Sequence, residues 1–420
     1  MAEHGVSEVI TAIGWALLAF SLIGALYTFA SGWAVGWFFS RQPAAEASLP
    51  PVTILKPLHG DEPGLRACLE GFCTQDYPSP IQIIFGVRDP FDPAIQVVRA
   101  LATDFPRLDI EMVIDDRVYG ANLKISNLVN MERLAKHPVI VVADSDVSVS
   151  PDYLRRLAAA LSPSEVGYVS CAFVGVPTGT LWSKLSAMAI NYHFLPSVAF
   201  GLGIRLAKPC FGPTMAFRRD VLDQAGGFIR FVDHLADDYE IGQAIRDLGY
   251  GFAIPPMTIG HGCPERSGRS LITHELRWAR TIRLIDPASY AGSIVCHPAI
   301  SVLAAVLLLH GSVASLVALG VVCLSRIYVM VMVDRALNAK LGLWWMAPIR
   351  DLLSVAIYLS AYVGKTVMWR GRRFRIGPAG KLIPHYRDPA LARRSAVLAV
   401  ESVHHAVDRH VVSQEPSFPA

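Results

Sequence analysis

Two aspartates directly follow a short apolar run at residues 139–143, in the segment Asp144-Ser-Asp146. Alternation along an extended chain places residues i and i+2 on the same side, so both carboxylates can face one cation. Carboxylate oxygens suit Mg²⁺ or Mn²⁺, which keep further coordination positions for water and a diphosphate. The triplet predicts a site for a metal-bound diphosphate. The alternative is that it caps a helix starting near Pro151.

A second acidic group, Asp237 and Asp238, stands at the start of a predicted helix. Acids in the first turn are stabilised by the helix dipole, so this placement has a purely structural explanation. A positioned carboxylate can also take the proton from a reacting hydroxyl. The pair therefore offers a candidate general base.

A third motif, His274-Glu-Leu-Arg277-Trp278, precedes the C-terminal apolar region. An arginine can grip a diphosphate through two parallel hydrogen bonds, and a tryptophan can form a flat wall for a sugar or a lipid. The alternative is a basic helix at a membrane interface, where Arg277, Arg280 and Arg283 meet lipid headgroups. The two interpretations are compatible.

The elements that must position these residues alternate between short apolar strands and helices, which is typical of a parallel sheet covered on both faces. Ligands bind at the carboxyl ends of the strands in such sheets. Three of those ends carry Lys56, Asp89 and the pair Asp144 and Asp146. The predicted strands are 52–55, 81–87, 109–114 and 139–143, and the predicted helices are 62–74, 94–105 and 123–136.

The composition indicates a membrane protein with a soluble part, because 52% of the 420 residues are hydrophobic and only 17% are charged. Soluble domains carry about 25% charged residues. A net charge of +3 gives no basic field for a phosphate backbone, so nucleic acid is not an expected partner. Seven cysteines without a C-x-x-C pair suggest a reducing compartment and no zinc site.

Apolar runs lie at both ends of the chain. Residues 9–40 carry no charge and predict one transmembrane helix. A signal peptide fits less well because the preceding segment is acidic and the run is too long. About two further spans are predicted from the uncharged run 287–325 and the apolar region 341–364. In the second region Arg350 and Asp351 must face protein or lie near an interface.

The flanking charges predict the orientation. Acidic residues precede the first run, Arg41 follows it, and basic residues cluster after residue 364, which puts the middle domain and the tail in the cytoplasm. The predicted organisation is an anchor at 1–44, a catalytic domain at 45–285, a membrane region at 286–369 and a basic tail at 370–420. Residues 181–206 are predicted to be an interfacial segment, with His193 as a polar interfacial residue rather than a catalyst.

Taken in order, these motifs resemble the D, D, D, (Q/R)xxRW signature of membrane-bound inverting family 2-like glycosyltransferases. The chain most resembles the ceramide glucosyltransferase family and its bacterial relatives, which include hopanoid-associated glycosyltransferases. The resemblance covers roughly residues 10 to 380. The segments that carry it are Lys56-Pro-Leu-His-Gly60, Val87-Arg-Asp-Pro-Phe-Asp-Pro-Ala-Ile95, Asn122-Leu-Lys-Ile-Ser-Asn-Leu128, Asp144-Ser-Asp146, Arg219-Asp-Val-Leu-Asp-Gln-Ala-Gly-Gly227, Asp237-Asp-Tyr239, Arg277-Trp278 and Trp369-Arg-Gly-Arg372.

The resemblance implies a role for each matching residue. Asp238 would be the catalytic base. Asp144 and Asp146 would bind Mg²⁺ or Mn²⁺ with the diphosphate. The substrate contacts would come from Asp89 at the nucleotide, Arg277 and Trp278 at the diphosphate and acceptor, and Lys56 and Lys124 at the nucleotide or diphosphate. His274, at the position where the family has Gln or Arg, would be a further substrate contact.

The resemblance also implies a fold and an activity. We expect an α/β domain of the GT-A type, with a mostly parallel sheet and membrane helices at both ends. It would transfer a sugar from a UDP-sugar to a hydroxyl of a membrane lipid, ceramide or hopanoid, with inversion, at the cytoplasmic face of the cell membrane. The alternatives are a processive polysaccharide synthase, a lipid phosphotransferase and a non-catalytic membrane scaffold.

Overall fold

The structure is a computed structural model that describes residues 2–44, 49–60, 62–338, 341–369, 372–377 and 380–384. The helices are α1 (Ala2–Ser40), α2 (Leu65–Cys73), α3 (Ala94–Asp104), α4 (Leu123–Glu132), α5 (Tyr153–Leu161), α6 (Leu181–Ala189), α7 (Leu195–Gly203), α8 (Arg219–Gln224), α9 (Asp237–Asp247), α10 (Gly268–Ile285), α11 (Pro287–Gly292), α12 (Pro298–Leu308), α13 (Val313–Leu337) and α14 (Ala347–Ser360). The strands are β1 (Val52–Pro57), β2 (Ile81–Val87), β3 (Asp109–Ile114), β4 (Val139–Ala143), β5 (Val147–Ser148), β6 (Val166–Ser170), β7 (Ala172–Pro177), β8 (Thr214–Arg218), β9 (Gly251–Ala253), β10 (Thr258–Cys263), β11 (Thr366–Trp369), β12 (Arg372–Ile376) and β13 (Leu382–Pro384).

The central sheet of the described chain has seven strands in the order β3-β2-β1-β4-β8-β6-β9. The pairs β3-β2, β2-β1, β1-β4 and β6-β9 are parallel, and β8 runs antiparallel to both neighbours. Strands β1 and β4 are buried along their whole length, as their unbroken apolar runs predict. The predicted α/β fold with a mostly parallel sheet is confirmed.

Helices cover both faces of this sheet. One apolar core joins α2, α3 and α5 to the sheet, and the other joins α4, α8 and α9 to the opposite face. Two predicted helices are shorter than expected. The first begins at Leu65 because Gly64 has a positive φ of 78°, and the helix predicted at 123–136 ends at Glu132.

Two small sheets flank the central one. Strands β5, β10 and β7 form the first, in which β10 pairs antiparallel with β5 beside Asp146. Strands β11, β12 and β13 form the second, an antiparallel sheet near the end of the described chain. Its apolar face packs on Ala121 and Leu235 of the catalytic domain. Residues 385–420, which contain most of the predicted basic tail, lie outside the described residues.

Two helices of the described chain are long and apolar enough to cross a membrane, Gly5–Ser40 and Val313–Leu337. A bent pair, Pro287–Cys296 and Pro298–Leu308, meets at 59° and is a broken span or a re-entrant loop. The run 287–325 is therefore not one span, because it contains this bent pair and the first part of α13. The region 341–364 contains α14, whose 14 residues reach about 21 Å, less than the roughly 30 Å apolar core of a bilayer.

The membrane helices pack closely because α1 presents glycines to its neighbours. A Cβ at Gly24 would lie 2.8 Å from Pro298 of α12, and one at Gly32 would lie 2.9 Å from Tyr328 of α13. Small residues allow such backbone approach between membrane helices. The segment predicted to be interfacial also packs on α1, where Tyr27 donates a hydrogen bond to Ser197 of α7 (2.8 Å).

Candidate active site

The carboxyl ends of β1 and β4 bring Lys56 and Asp144 together. The Lys56 ammonium donates to the Asp144 carbonyl oxygen (2.5 Å) and lies 3.9 Å from the ring centroid of Phe72. Burial lowers the pKa of Lys56 to about 8, although Asp144 and Asp146 favour its charged form. Lys56 thus fixes the backbone that carries the two aspartates.

Lys124, in the first turn of α4, joins the two acidic motifs. Its ammonium lies 2.6 Å from Asp144 Oδ1 and 3.9 Å from Asp237 Oδ2. Burial alone would lower its pKa, but the attraction of Asp144 and Asp237 raises the pKa overall. A permanent positive charge therefore sits between the aspartates of β4 and those of α9.

Asp238 lies at the N-terminus of α9 and accepts two backbone hydrogen bonds, from Gly212 (2.7 Å) and from Tyr239 (2.8 Å). A Cβ at position 212 would come within 2.9 Å of Asp238 Oδ2, so a side chain there would displace the Asp238 carboxylate. Burial, and then repulsion from Asp237, raises the pKa of Asp238 to about 6. A carboxyl with a pKa near neutrality is suited to accept a proton.

Asn122 fixes the loop that carries the acidic pair. Its side-chain oxygen caps α4 by accepting from the backbone of Lys124 and Ile125. Its amide nitrogen donates to the His234 carbonyl (2.8 Å) and to Asp237 Oδ1 (3.1 Å). Asp237 is thus held by the Asn122 side chain, whereas the hydrogen bonds that Asp238 accepts within the described residues come from the backbone.

Asp146 faces a histidine that the sequence reasoning missed. His261 Nδ1 of β10 lies 3.5 Å from Asp146 Oδ2, and the His261 ring lies 6.0 Å from the ring of Trp278. Asp146 Oδ1 and both ring nitrogens of His261 have no hydrogen-bond partner among the described residues. The contact depends on the pairing of β5 with β10, which cannot be predicted from the local sequence around either residue.

The third motif lies on α10, and its Trp278 ring stands near His261, the neighbour of Asp146. His274 Nδ1 lies 2.6 Å from Oε1 of the buried Glu265, a second residue that the sequence reasoning missed. The ring of Trp278 packs 4.5 Å from that of His274, and Arg277 is half-buried beside it on the helix. Glu265 thus holds the His274 ring beside Trp278, and a substrate contact by His274 stays a prediction.

Asp89 stands in an exposed turn after β2, where it accepts a hydrogen bond from the backbone of Phe91 (2.9 Å). The neighbouring Asp92 is buried and accepts from the Gly60 backbone (2.9 Å), in the loop that follows Lys56. Of the two, Asp92 is built into the loop that borders the site. Asp89 as a nucleotide contact stays a prediction.

The alternative of a helix cap for the D-x-D is wrong. Helix α5 begins at Tyr153 after Asp152, and neither Asp144 nor Asp146 makes a cap hydrogen bond to it. The two carboxylates instead stand between Lys124 and His261, with one buried oxygen of Asp146 unpaired in the described structure. This donor set fits a hard divalent cation that also binds a diphosphate.

Helix α10 connects the site to the membrane part through a buried ion pair. Arg350 of α14 donates to both carboxylate oxygens of Glu275, each at 2.7 Å, and is 1% exposed. Nearer the C-terminal end of α10, Arg280 donates to the Val363 and Thr366 carbonyls (both 2.7 Å). Arg350 thus faces protein, one of the two placements expected for it.

The mixed sheet, with acidic and basic side chains gathered at its strand ends and helices that can span a membrane, defines a GT-A-type glycosyltransferase fold attached to a membrane. Residues 14–382 match glycosyl transferase family 21, and the chain belongs to that family. It is a glycosyltransferase and a membrane protein.

Named relatives agree with this assignment. Ceramide glucosyltransferase 3 of Caenorhabditis elegans is 25% identical over 366 residues, which cover 81% of this chain and 75% of that protein. Ceramide glucosyltransferase 1 of the same organism is 22% identical, covering 80% and 74% respectively. Among solved structures, the mannosyltransferase PcManGT from Pyrobaculum calidifontis, in complex with GDP-Man and Mn²⁺, superposes with a TM-score of 0.49 at 21% identity. It covers 84% of this chain and 99% of that one.

Proposed function

We propose that the protein transfers a sugar from a UDP-sugar to a hydroxyl of a membrane lipid, with inversion. The observation that carries the proposal is the position of Asp238. Its pKa is raised to about 6, and the adjoining Asp237 shares the Lys124 ammonium with Asp144, so the candidate base stands beside the proposed diphosphate site. The ceramide glucosyltransferase relatives support a lipid acceptor.

In the proposed reaction the acceptor hydroxyl oxygen bonds to the anomeric carbon while its proton passes to Asp238. The bond from that carbon to the diphosphate oxygen breaks, and UDP leaves with the electron pair. One displacement inverts the configuration and needs one base. Lys124 and Lys56 would hold positive charge beside the diphosphate, and Trp278 would form the wall for the sugar or lipid.

A divalent cation, Mg²⁺ or Mn²⁺, would be held by Asp144 and Asp146 and would neutralise charge on the departing diphosphate. Within the described residues, histidine, cysteine and acidic side chains form no group of three or more that could hold a metal. The nucleotide would therefore complete the coordination shell, as is common for Mg²⁺.

We place the catalytic domain on the cytoplasmic side of the cell membrane. Arg41 at the inner end of α1 donates to the Ile254 carbonyl (3.0 Å) and so lies against the domain. Basic residues of the C-terminal sheet, including the exposed Arg373 and Arg375, lie on the same side. The positive-inside rule supports this placement, with α1, α13 and the bent pair at α11 and α12 as the membrane-embedded part.

The pH profile provides one prediction. Because the pKa of Asp238 is raised to about 6, the base is protonated below that pH and free above it. We expect kcat/KM to fall with decreasing pH through about pH 6, approaching tenfold per unit. Initial rates between pH 4.5 and 8 test this. A profile that is flat down to pH 5 would contradict the role of Asp238.

The reaction itself is tested with the full chain in phosphatidylcholine vesicles supplied with a UDP-sugar, Mg²⁺ and ceramide or a hopanoid polyol. We expect a lipid that carries one sugar in the inverted configuration, identified by mass spectrometry and NMR. A lipid that gains a phosphate would indicate a phosphotransferase, and a growing polymer would indicate a synthase. Failure to bind UDP with Mg²⁺ would favour a non-catalytic scaffold.

A further inference from the structure

A second group of charged side chains lies within the membrane part, where α13 and α14 meet the segment between α6 and α7. We call His193, His297, Arg326 and Asp351 the membrane polar cluster. Asp351 Oδ1 lies 2.9 Å from a terminal nitrogen of Arg326 and 3.0 Å from His193 Nε2. Arg326 also contacts His193 directly and donates to the Tyr192 carbonyl (2.7 Å). His193, expected to be an interfacial polar residue, lies against the ion pair of Arg326 and Asp351.

The cluster lies at membrane depth. Helices α1 and α13 run parallel, with Gly32 facing Tyr328 and Gly36 facing Met332. Tyr328 lies level with Gly32, the residue before Trp33, whose side chain is 65% exposed. Arg326 lies two residues before Tyr328 on α13 and is therefore further from the cytoplasmic end than Trp33. Charged residues at such depth are costly and usually mark a site that receives a ligand or an ion.

The groups of the cluster do not fully satisfy one another. Arg326 Nε and His297 Nδ1 have no hydrogen-bond partner among the described residues. Asp351 Oδ1 is at ion-pair distance from its neighbours but lacks hydrogen-bond geometry to them. The side chains of His193, Arg326 and Asp351 remain 15%, 15% and 14% exposed. Unpaired polar atoms thus remain on Arg326, His297 and Asp351, and all three residues line a cavity.

A cavity of about 20 Å³ lies beside these atoms. Its walls include Thr28, His297, Ser325, Arg326, Asp351 and Val355. That volume holds one group the size of a water molecule, such as a hydroxyl or an amide oxygen. Asp351 disfavours an anion and Arg326 disfavours a cation, so the group that fits is uncharged and forms hydrogen bonds.

Aromatic side chains connect the cluster to the candidate base. Phe194 follows His193 in the chain, and its ring lies 5.4 Å from that of Phe211 and 4.6 Å from that of Phe173. Phe211 precedes Gly212, whose backbone donates to Asp238. Packed aromatic rings thus fill the space between the cluster and the Gly212–Asp238 contact, an apolar surrounding that is chemically suited to a lipid.

We propose that the membrane polar cluster is a docking site for the acceptor lipid. It holds the uncharged polar head, a hydroxyl or an amide, at membrane depth before that head moves past Phe194 and Phe211 to Asp238. This inference rests on the proposed function and narrows it, because the acceptor is then a neutral lipid rather than one whose head carries a phosphate.

The test uses the full chain in phosphatidylcholine vesicles with ceramide and a UDP-sugar. Asp351→Asn and Arg326→Gln should lower kcat/KM for ceramide at least about tenfold, while hydrolysis of the UDP-sugar without acceptor stays within about twofold. Asp334→Asn is the matched control on α13. It removes a buried acid bonded to Tyr192 and Trp344 but not part of the cavity, and it should leave both rates within about twofold. Equal losses in transfer and hydrolysis, or unchanged transfer, would overturn the proposal.

A second variant covers the case in which the charge changes prevent folding. Ser325→Val places a larger side chain in the wall of the cavity and so reduces its volume without removing a charge. It should lower kcat/KM for ceramide as the charge changes do and leave hydrolysis of the UDP-sugar unchanged. Binding is read separately with a ceramide that carries a diazirine next to its amide. We expect crosslinks to the segments 296–299 and 325–326 that disappear in Ser325→Val. Crosslinks at these segments without any sugar transfer to ceramide would contradict the proposed function but support the lipid-docking site. Sugar transfer without these crosslinks would contradict the docking site.

Discussion

Asp238→Asn is expected to lower kcat by about 10²–10⁴, the usual contribution of a positioned general base. The amide occupies the same volume but cannot take a proton. Its nitrogen would also face one of the two backbone donors, Gly212 or Tyr239, that now point at the carboxylate. Because Asp238 is placed at the acceptor rather than at the diphosphate, the KM for the UDP-sugar should change little. Initial rates with ceramide in vesicles provide the measurement.

Two comparisons make this prediction specific. Asp247→Asn, at the other end of α9, removes an acid bonded to Gln243 and should leave kcat unchanged. Asp237→Asn removes a carboxylate held by Asn122 and Lys124, so it should reduce stability and cost less in kcat than Asp238→Asn. If Asp237→Asn proved the more damaging of the two to kcat, the assignment of the base would move to Asp237.

Arg350→Met is expected to reduce the free energy of unfolding by about 3–5 kcal/mol, because it leaves Glu275 as an uncompensated charge in a buried site. Arg350 also donates to Ser354 and the Leu185 carbonyl, so its loss loosens the contact of α14 with both α10 and α6. Thermal unfolding of the purified protein in detergent provides the measurement. We also expect weaker binding of UDP-sugar, since α10 carries Arg277 and Trp278.

The double variant Arg350→Met, Glu275→Met shows whether the lost stability comes from the unpaired Glu275 or from packing around the Arg350 side chain. Replacing both partners of a buried ion pair by apolar residues of similar volume is often neutral or stabilising. We therefore expect the double variant to recover most of the stability that Arg350→Met loses. If it were as unstable as the single variant, the loss would come from packing around the Arg350 side chain rather than from the unpaired Glu275.

Four strands of the central sheet, β1 to β4, could be predicted from the sequence because each is a mostly apolar run, whereas β6, β8 and β9 were not predicted. The D-x-D, the acidic pair and the Arg277-Trp278 motif were found for the same reason, since each is a short local pattern. His261 and Glu265 were missed because their partners, Asp146 and His274, are set by strand pairing and by the start of α10. A signal existed for Asp92, since it precedes Pro93 at a helix start, but only the fold shows that it is buried.

The membrane part was harder to predict because hydropathy shows which segments are apolar but not where the chain turns within them. The run 287–325 is uncharged throughout, yet the chain turns at His310, Gly311 and Ser312. The positive φ of 68° at Gly311 marks that turn, and the polar residues beside it were the available signal. Arg350 and Asp351 were expected to face protein or lie near an interface, and both have protein partners. Those partners, Glu275 and Arg326, lie 75 and 25 residues away in sequence and could not be identified from it.

The small sheet of β11, β12 and β13 has a consequence for the order of synthesis. The backbone of Leu382 donates to the Asp233 carbonyl, and Leu235 donates to that of Gly380, so the segment leading to Asp238 is braced by residues that follow the described helices α1 and α11 to α14 in the chain. A nascent chain whose membrane helices have not all been inserted still lacks this brace. The contacts of the segment that leads to the candidate base are therefore complete only when residues 380–382 have been made and have paired with it.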